Sequence, residues 1–253
     1  MIALLSPAKL MDPSRRHPST GCTLPAMLRR SEVLIRSLRK LKPADIAELM
    51  EVSPRIADET AQWFHDWHTP IDPEASTPAV LLFRGEVYRG LDADSFTPDD
   101  LQFAQKHLRI LSGLYGVLRP LDLTLPYRLM MGTPFSPDER SRNLYQWWGN
   151  DLAQHLAEET RPGDTVVNLA SEEYFRAVPE KVLGRRVLTC DFRERKGDRY
   201  VSVSTYAKQA RGRMARFIIT QRITQPEGLL AFREDRYAFQ PALSSESKWV
   251  FTR

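Results

Sequence analysis

Apolar residues recur along this chain in two periods, one suited to buried strands and one to amphipathic helices. Ile2–Leu5, Ala79–Phe83, Thr165–Leu169 and Val187–Cys190 are short apolar runs rich in branched residues, the pattern of buried strands. Tyr200–Thr205 alternates like a half-exposed strand, and Lys248–Phe251 reads as a last edge strand. Met27, Leu34, Leu38 and Leu41 share one face of a helix opened by Pro25. "SPRIADETAQWFHDW" begins with Ser53 as N-cap and Pro54 at the first helical position, and "TPDDLQFAQKHL" repeats that start with Thr97 and Pro98. Leu144–Glu159 reads as one amphipathic helix, and a last one runs through Tyr206–Ile223.

Buried strands mixed with helices predict an α/β (mixed α+β) fold with a mixed central sheet covered by helices. No internal repeat, low-complexity tract or long linker interrupts the chain, so residues 1–253 are expected to form a single domain. The segments 68–78 and 132–142 are surface loops.

Charge adds an asymmetry to this picture. Residues 51–105 carry a net −8, whereas residues 181–223 carry +9. Either the two segments neutralise each other across the fold, or the second presents a basic face to a polyanion or a phosphorylated ligand. No apolar run approaches the roughly 18 residues that span a bilayer, so no membrane partner is expected. "MIALLSPAKL" lacks the basic start and cleavage site of a signal peptide. Cys22 and Cys190 lie far apart in sequence and read as reduced thiols of a cytoplasmic protein.

Four stretches carry candidate chemistry. "SPAK" follows the first strand, where α/β folds tend to place ligand loops; Lys9 is a phosphate grip, a base if desolvated, or a solvated turn residue. "VVNLASEEYF" puts Asn168, Ser171 and Tyr174 at another strand end. Ser171 also suits a helix N-cap there. Together Lys9, Asn168, Ser171 and Tyr174 are the catalytic candidates if the protein is an enzyme. In the Tyr206–Ile223 helix, Lys208, Arg211 and Arg222 line one flank of an apolar arc, and Arg213 and Arg216 line the other. No acid within the helix balances them, so they either shield the apolar stripe or meet phosphates. Gly212 in mid-helix implies a close backbone approach or an imperfect helix. In "FRGEVYRGL", Arg84 is a further candidate for a basic cleft. His65 and His68 lack a third ligand, and no P-loop, dinucleotide fingerprint, nucleophile elbow or HExxH is present. Neither a metal nor a cofactor is therefore expected.

The segment "LRILSGLYGVLRPLDLTLPYRLMMG" (108–132) is rich in Leu yet broken by glycines and prolines. Gly113 and Gly116 permit a sharp reversal, clamped by leucines on either side, as in a helix–hairpin–helix that offers backbone N–H groups to a DNA phosphate. The alternative is a rigid buried connector. Arg109, Arg119 and Arg128 would flank the turn.

The motifs "SPAK", "FRGEVYRGL", "LRILSGLYGVLRPLDLTLPYRL", "LYQWWG", "VVNLASEEYF" and "YAKQARGRMARFI" resemble, in order, those of the YaaA family of peroxide stress proteins. The resemblance implies a cytoplasmic bacterial protein that limits free intracellular iron and so protects DNA. It also implies one α/β domain with a basic cleft, a helix–hairpin–helix and DNA as partner, bound through backbone contacts. One residue departs from the pattern: "YRLMMG" holds Met130 where the family motif has Glu. If that Glu serves as a general base or a metal ligand, this protein lacks it, because Met cannot accept a proton there and is a poor ligand for hard ions. Three functions follow: DNA binding, catalysis on a phosphorylated or nucleotide-like small molecule, and, ranked last for want of a ligand set, iron sequestration.

Overall fold

The computed structural model describes residues 1–15 and 21–253. Its strands are β1 (Ile2–Leu5), β2 (Leu10–Met11), β3 (Thr77–Pro78), β4 (Phe83–Arg84), β5 (Leu108–Ser112), β6 (Gly116–Leu118), β7 (Leu123–Thr124), β8 (Thr165–Asn168), β9 (Arg186–Lys196), β10 (Arg199–Val201), β11 (Ala238–Phe239) and β12 (Lys248–Thr252). The helices are α1 (Leu28–Leu38), α2 (Pro43–Met50), α3 (Pro54–Asp66), α4 (Ala79–Leu82), α5 (Glu86–Leu91), α6 (Pro98–His107), α7 (Leu144–Trp148), α8 (Asp151–Glu158), α9 (Glu172–Phe175), α10 (Glu180–Leu183) and α11 (Ser204–Thr220).

Eight strands form the main sheet, in the order β11-β12-β9-β8-β1-β5-β6, with β10 paired to β9. From β12 to β5 the neighbours run parallel, and β11 and β6 are antiparallel edges. Parallel strands covered on both faces read as continuous apolar runs, which is why β1 and β8 are buried at every position. This is the mixed sheet with helical cover that the apolar pattern predicts. α6 begins with the predicted cap: Thr97 Oγ1 accepts from the Asp100 N–H while the Asp100 carboxylate accepts from the Thr97 N–H. Bonds from the Thr97 hydroxyl and amide, helped by Arg222, hold Asp100 down to about 2.

Several expectations change. Ala79–Leu82 is a helical turn, with strand only at Phe83–Arg84; a short, wholly buried apolar run carries no period that separates the two. Leu144–Glu159 is two helices, because Gly149 at φ +51 breaks the chain between α7 and α8. Strand ends at Val201, and Ser204 already starts α11. β12 is interior, since β11 pairs with its outer edge.

The largest correction concerns 108–118. These residues form a buried antiparallel hairpin of two strands, β5 and β6, in place of a helix–hairpin–helix. A side chain at Gly113 would collide with the Leu129 carbonyl, and one at Gly116 would press on Met27 and Trp148. Both glycines therefore serve close packing, and neither faces a phosphate.

Gly212 answers its question in the same way. α5 and α11 cross at contact distance: a methyl at Gly212 would collide with the Val87 carbonyl, and one at Gly90 with the Gln209 carbonyl. Ala favours a helix interior by about 1 kcal/mol over Gly, so a free helix would gain from the exchange. Here the overlap with backbone wins, and Gly212→Ala should destabilise the protein by roughly 1–3 kcal/mol. Urea unfolding monitored by circular dichroism measures it; an unchanged or raised midpoint would contradict the crossing.

Candidate strand-end site

Strand order reverses between β1 and β8. The chain leaves β1 toward β5 on one side, whereas β8 leads to β9 and β12 on the other. In open parallel sheets the loops diverge at such a point and leave a crevice at the strand carboxyl ends. Here the two loops are pinned together across its floor. The Ser6 hydroxyl accepts from the Ser171 N–H at 2.8 Å and donates to the Ser171 hydroxyl at 3.2 Å. The Ser6 carbonyl accepts from the Tyr88 hydroxyl at 3.0 Å. Ser171 holds the N-cap position of α9, but its hydroxyl faces Ser6 and not the helix.

α9 divides the crevice in two. On one side lie Lys9, Arg128, Met130 and Tyr174. This cleft has only 10 Å³ of open volume, room for about one water. Tyr174 is buried, its ionisation pushed far up by desolvation, and its hydroxyl lies 3.5 Å from the Met130 sulfur and interacts with the Met131 backbone. Arg128 is half-buried, its Nε has no hydrogen-bond partner among the described residues, and burial lowers its pKa. Lys9 is exposed at the rim. On the other side, Asn168, Thr189, Asp191, Arg211 and Lys248 line a cavity of 490 Å³. Asn168 Oδ1 accepts from the Ala170 N–H, and its Nδ2 donates to Thr189 Oγ1 at 3.3 Å. Asp191 Oδ2 is shared by Arg193 at 2.8 Å and Lys248 at 3.0 Å. Burial lowers the pKa of Arg211, and among the described residues no ion pair engages it. The Cys190 thiol in the wall is pushed up to about 12 by burial and is a poor nucleophile.

The predicted site residues thus separate. Lys9, Arg128 and Tyr174 share one cleft, Asn168 and Arg211 share the other cavity, and Lys208 lines neither although it is exposed on α11. Ser171 is spent on the floor. Several cations are committed to carboxylates. Arg109 is 5% exposed and paired with Glu159 at 2.7 Å, which removes it from any surface role. Arg119 pairs with buried Asp122 at 3.1 Å, and Arg84 with Asp12 and Asp94. Arg213 meets Asp235, Arg216 meets Asp92 at 3.4 Å, and Arg222 meets Asp100 at 2.6 Å. The arginines of α11 that lack partners within the helix find them on other elements, two of them in the acidic 51–105 segment. Lys208 and Arg211 are the exceptions.

Sequence reasoning missed Thr189, Asp191 and Lys248. A signal existed for two of them: Thr189, Asp191 and Arg193 alternate with buried Cys190 and Phe192, a polar stripe on one face of β9. Lys248 joins them only through the register that places it opposite Thr189. Among the described residues no three His, Cys, Asp or Glu side chains gather as metal ligands, and no helix is long and apolar enough to cross a membrane.

A parallel sheet with a crevice at its strand reversal defines an α/β protein with Lys9, Arg128 and Arg211 beside its strand ends. The chain belongs to the YaaA family: a family model described as "Peroxide stress protein YaaA" matches residues 1–243. It is similar to a "UPF0246 protein" of Ralstonia pickettii, 50% identical over 255 residues, covering 100% of this chain and 99% of that one. A "UPF0246 protein" of Cupriavidus metallidurans is 48% identical and one of Neisseria gonorrhoeae 46%, each matched over 100% of this chain and 98% of its own length.

The floor contact is testable. Ser6→Ala removes the acceptor of the Ser171 amide at a residue that is only 9% exposed. Stability should fall by about 1–2 kcal/mol, and the Ser171 amide should exchange faster with solvent. An amide that keeps its protection would show that the two loops are held by something else.

Proposed function

We propose that this peroxide stress protein binds DNA in the cytoplasm through backbone contacts made by the strand-end face, and that it thereby helps to limit free iron and the damage iron causes. The observation that carries the reading is the set of cations left without carboxylates there and on α11. Lys9, Arg128 and Lys208 appear in no ion pair among the described residues, whereas Arg84, Arg109, Arg119, Arg213 and Arg216 are each neutralised. The cleft between Lys9 and Arg128 holds about one water and is too narrow for a small molecule, so a backbone phosphate would meet Lys9 at its exposed rim. Such contacts carry no base information, so the binding is sequence-independent. The iron effect rests on the family alone.

A second reading, an enzyme acting on a phosphorylated or nucleotide-like molecule, has one observation in its favour: the 490 Å³ cavity beyond α9. Its substrate would meet Asn168 and Arg211, not Lys9 or Tyr174.

Fluorescence anisotropy with duplex DNA at rising salt tests the first reading. Affinity should fall steeply with salt, and Lys9→Ala, Arg128→Ala and Lys208→Ala should each lower the slope of log K against log salt by about 1. A triple variant that binds as tightly as wild type, or binding indifferent to salt, would remove DNA from the proposal.

A further inference from the structure

The cavity on the far side of α9 holds a cation that makes no ion pair among the described residues, although Asp191 and Glu172 share its lining. Arg211 lies half-buried in its wall. Five N–H groups radiate from a guanidinium, and no described protein atom accepts from those of Arg211, although the arginines along the other flank of α11 all end on carboxylates or carbonyls. Asp191, the nearest acid to exert a pull on it, is already shared between Arg193 and Lys248. Burial disfavours the charged form, yet an arginine stays protonated, so the cost of desolvation is carried until an anion arrives.

Two further donors face the same space. Lys248 Nζ sits 3.0 Å from Asp191 and has N–H bonds to spare beyond that one contact. Thr189 Oγ1 accepts from Asn168 Nδ2, which leaves the threonine O–H to donate. The register of β12 on β9 sets Lys248 directly across from Thr189. Phe175, from α9, supplies an apolar wall. A guanidinium fork, an ammonium and a hydroxyl thus surround a space of 490 Å³ beside the carboxyl end of β8, the first half of β9 and the start of β12.

We propose that this cavity is a binding site for a small phosphomonoester with a flat or apolar body. Three donor groups match the three terminal oxygens of a tetrahedral phosphate, whereas a carboxylate offers two. The fork of Arg211 takes two oxygens, Lys248 and Thr189 divide the third with them, and the body of the ligand lies on Phe175. The site is separate from the Lys9–Arg128 cleft, on the opposite side of α9, and it does not depend on the DNA reading.

Isothermal titration with phenyl phosphate, benzoate and inorganic phosphate, each against the full chain, tests the assignment. Phenyl phosphate should bind and raise Tm, and benzoate and inorganic phosphate should bind more weakly. Arg211→Gln should weaken phenyl phosphate by roughly tenfold or more, the scale of one charged hydrogen-bonding partner. Lys248→Met, at the half-exposed first position of β12, should weaken it severalfold without endangering the fold, and so keeps the test valid if Arg211→Gln unfolds. Phenyl phosphate bound equally by wild type and both variants, or not bound at millimolar concentration, overturns the site. Benzoate bound as tightly as phenyl phosphate overturns the choice of phosphate. Wild-type protein that binds phenyl phosphate but no DNA supports this site and sinks the DNA reading alone; the reverse result sinks this site alone.

Discussion

The strand-end face depends on one constraint, the parallel pairing of Ile2–Leu5 along both of its edges. Ala3 to Leu5 pair with Leu108 to Ile110 of β5, and Ile2 to Leu4 pair with Val166 to Asn168 of β8. With β1 in the middle, the chain has to leave it in one direction and leave β8 in the other. The loops Ser6–Lys9 and Leu169–Ser171 then diverge above the sheet, and the Ser6–Ser171 bonds close the floor beneath them. Parallel strands cannot be joined by a tight turn, so each step along the sheet brings a helical crossover. α9 is the start of one such crossover, and its position splits the crevice into a narrow cleft and a roomy cavity.

A second constraint decides which cations remain available. The glycine crossing of α5 and α11 fixes the rotation of α11, with Gly212, Met214, Ala215 and Ile218 buried. Arg213 and Arg216 then point at Asp235 and Asp92, while Arg211 turns into the cavity and Lys208 to solvent. Partly exposed ion pairs contribute about 0–1 kcal/mol each, so they follow the packing and do not drive it. The opposed charges of 51–105 and 181–223 partly neutralise each other across the fold, as one of the two readings of the composition has it. Among the cations without an ion pair in the described residues are Lys208 and Arg211 on α11 and Lys9 and Arg128 beside the narrow cleft.

Much of this was legible in the sequence. Buried strands β1 and β8, the capped start of α6 and the mid-helix glycine of α11 each announce themselves through local chemistry, whether branched apolar runs, a Thr-Pro-Asp-Asp start or a residue that weakens a helix without a partner. The YaaA-like motifs also run in order through the elements that build the site. What stayed hidden was set by pairing. Arg109 and Arg119 look like surface cations until Glu159 and Asp122 are folded against them. Gly113 and Gly116 suit a helical hairpin as well as a strand hairpin, because the leucines around them fit a buried face in either form. Lys248 belongs to the cavity only through a register that links residues far apart in the chain.

Met130 takes its meaning from the same geometry. The resemblance to the family leads one to expect Glu at this position, and the Met130 sulfur lies 3.5 Å from the Tyr174 hydroxyl in the cleft that Lys9 and Arg128 border. A carboxylate there would accept strongly from Tyr174 and offer a counter-charge to both cations. A thioether does neither: it is a weak acceptor without charge. With Met130 the narrow cleft has a thioether beside Tyr174, and the acid that acts on Arg128 is Glu59. In this chain the Tyr174 hydroxyl therefore faces a weak, uncharged acceptor where a carboxylate would have accepted strongly.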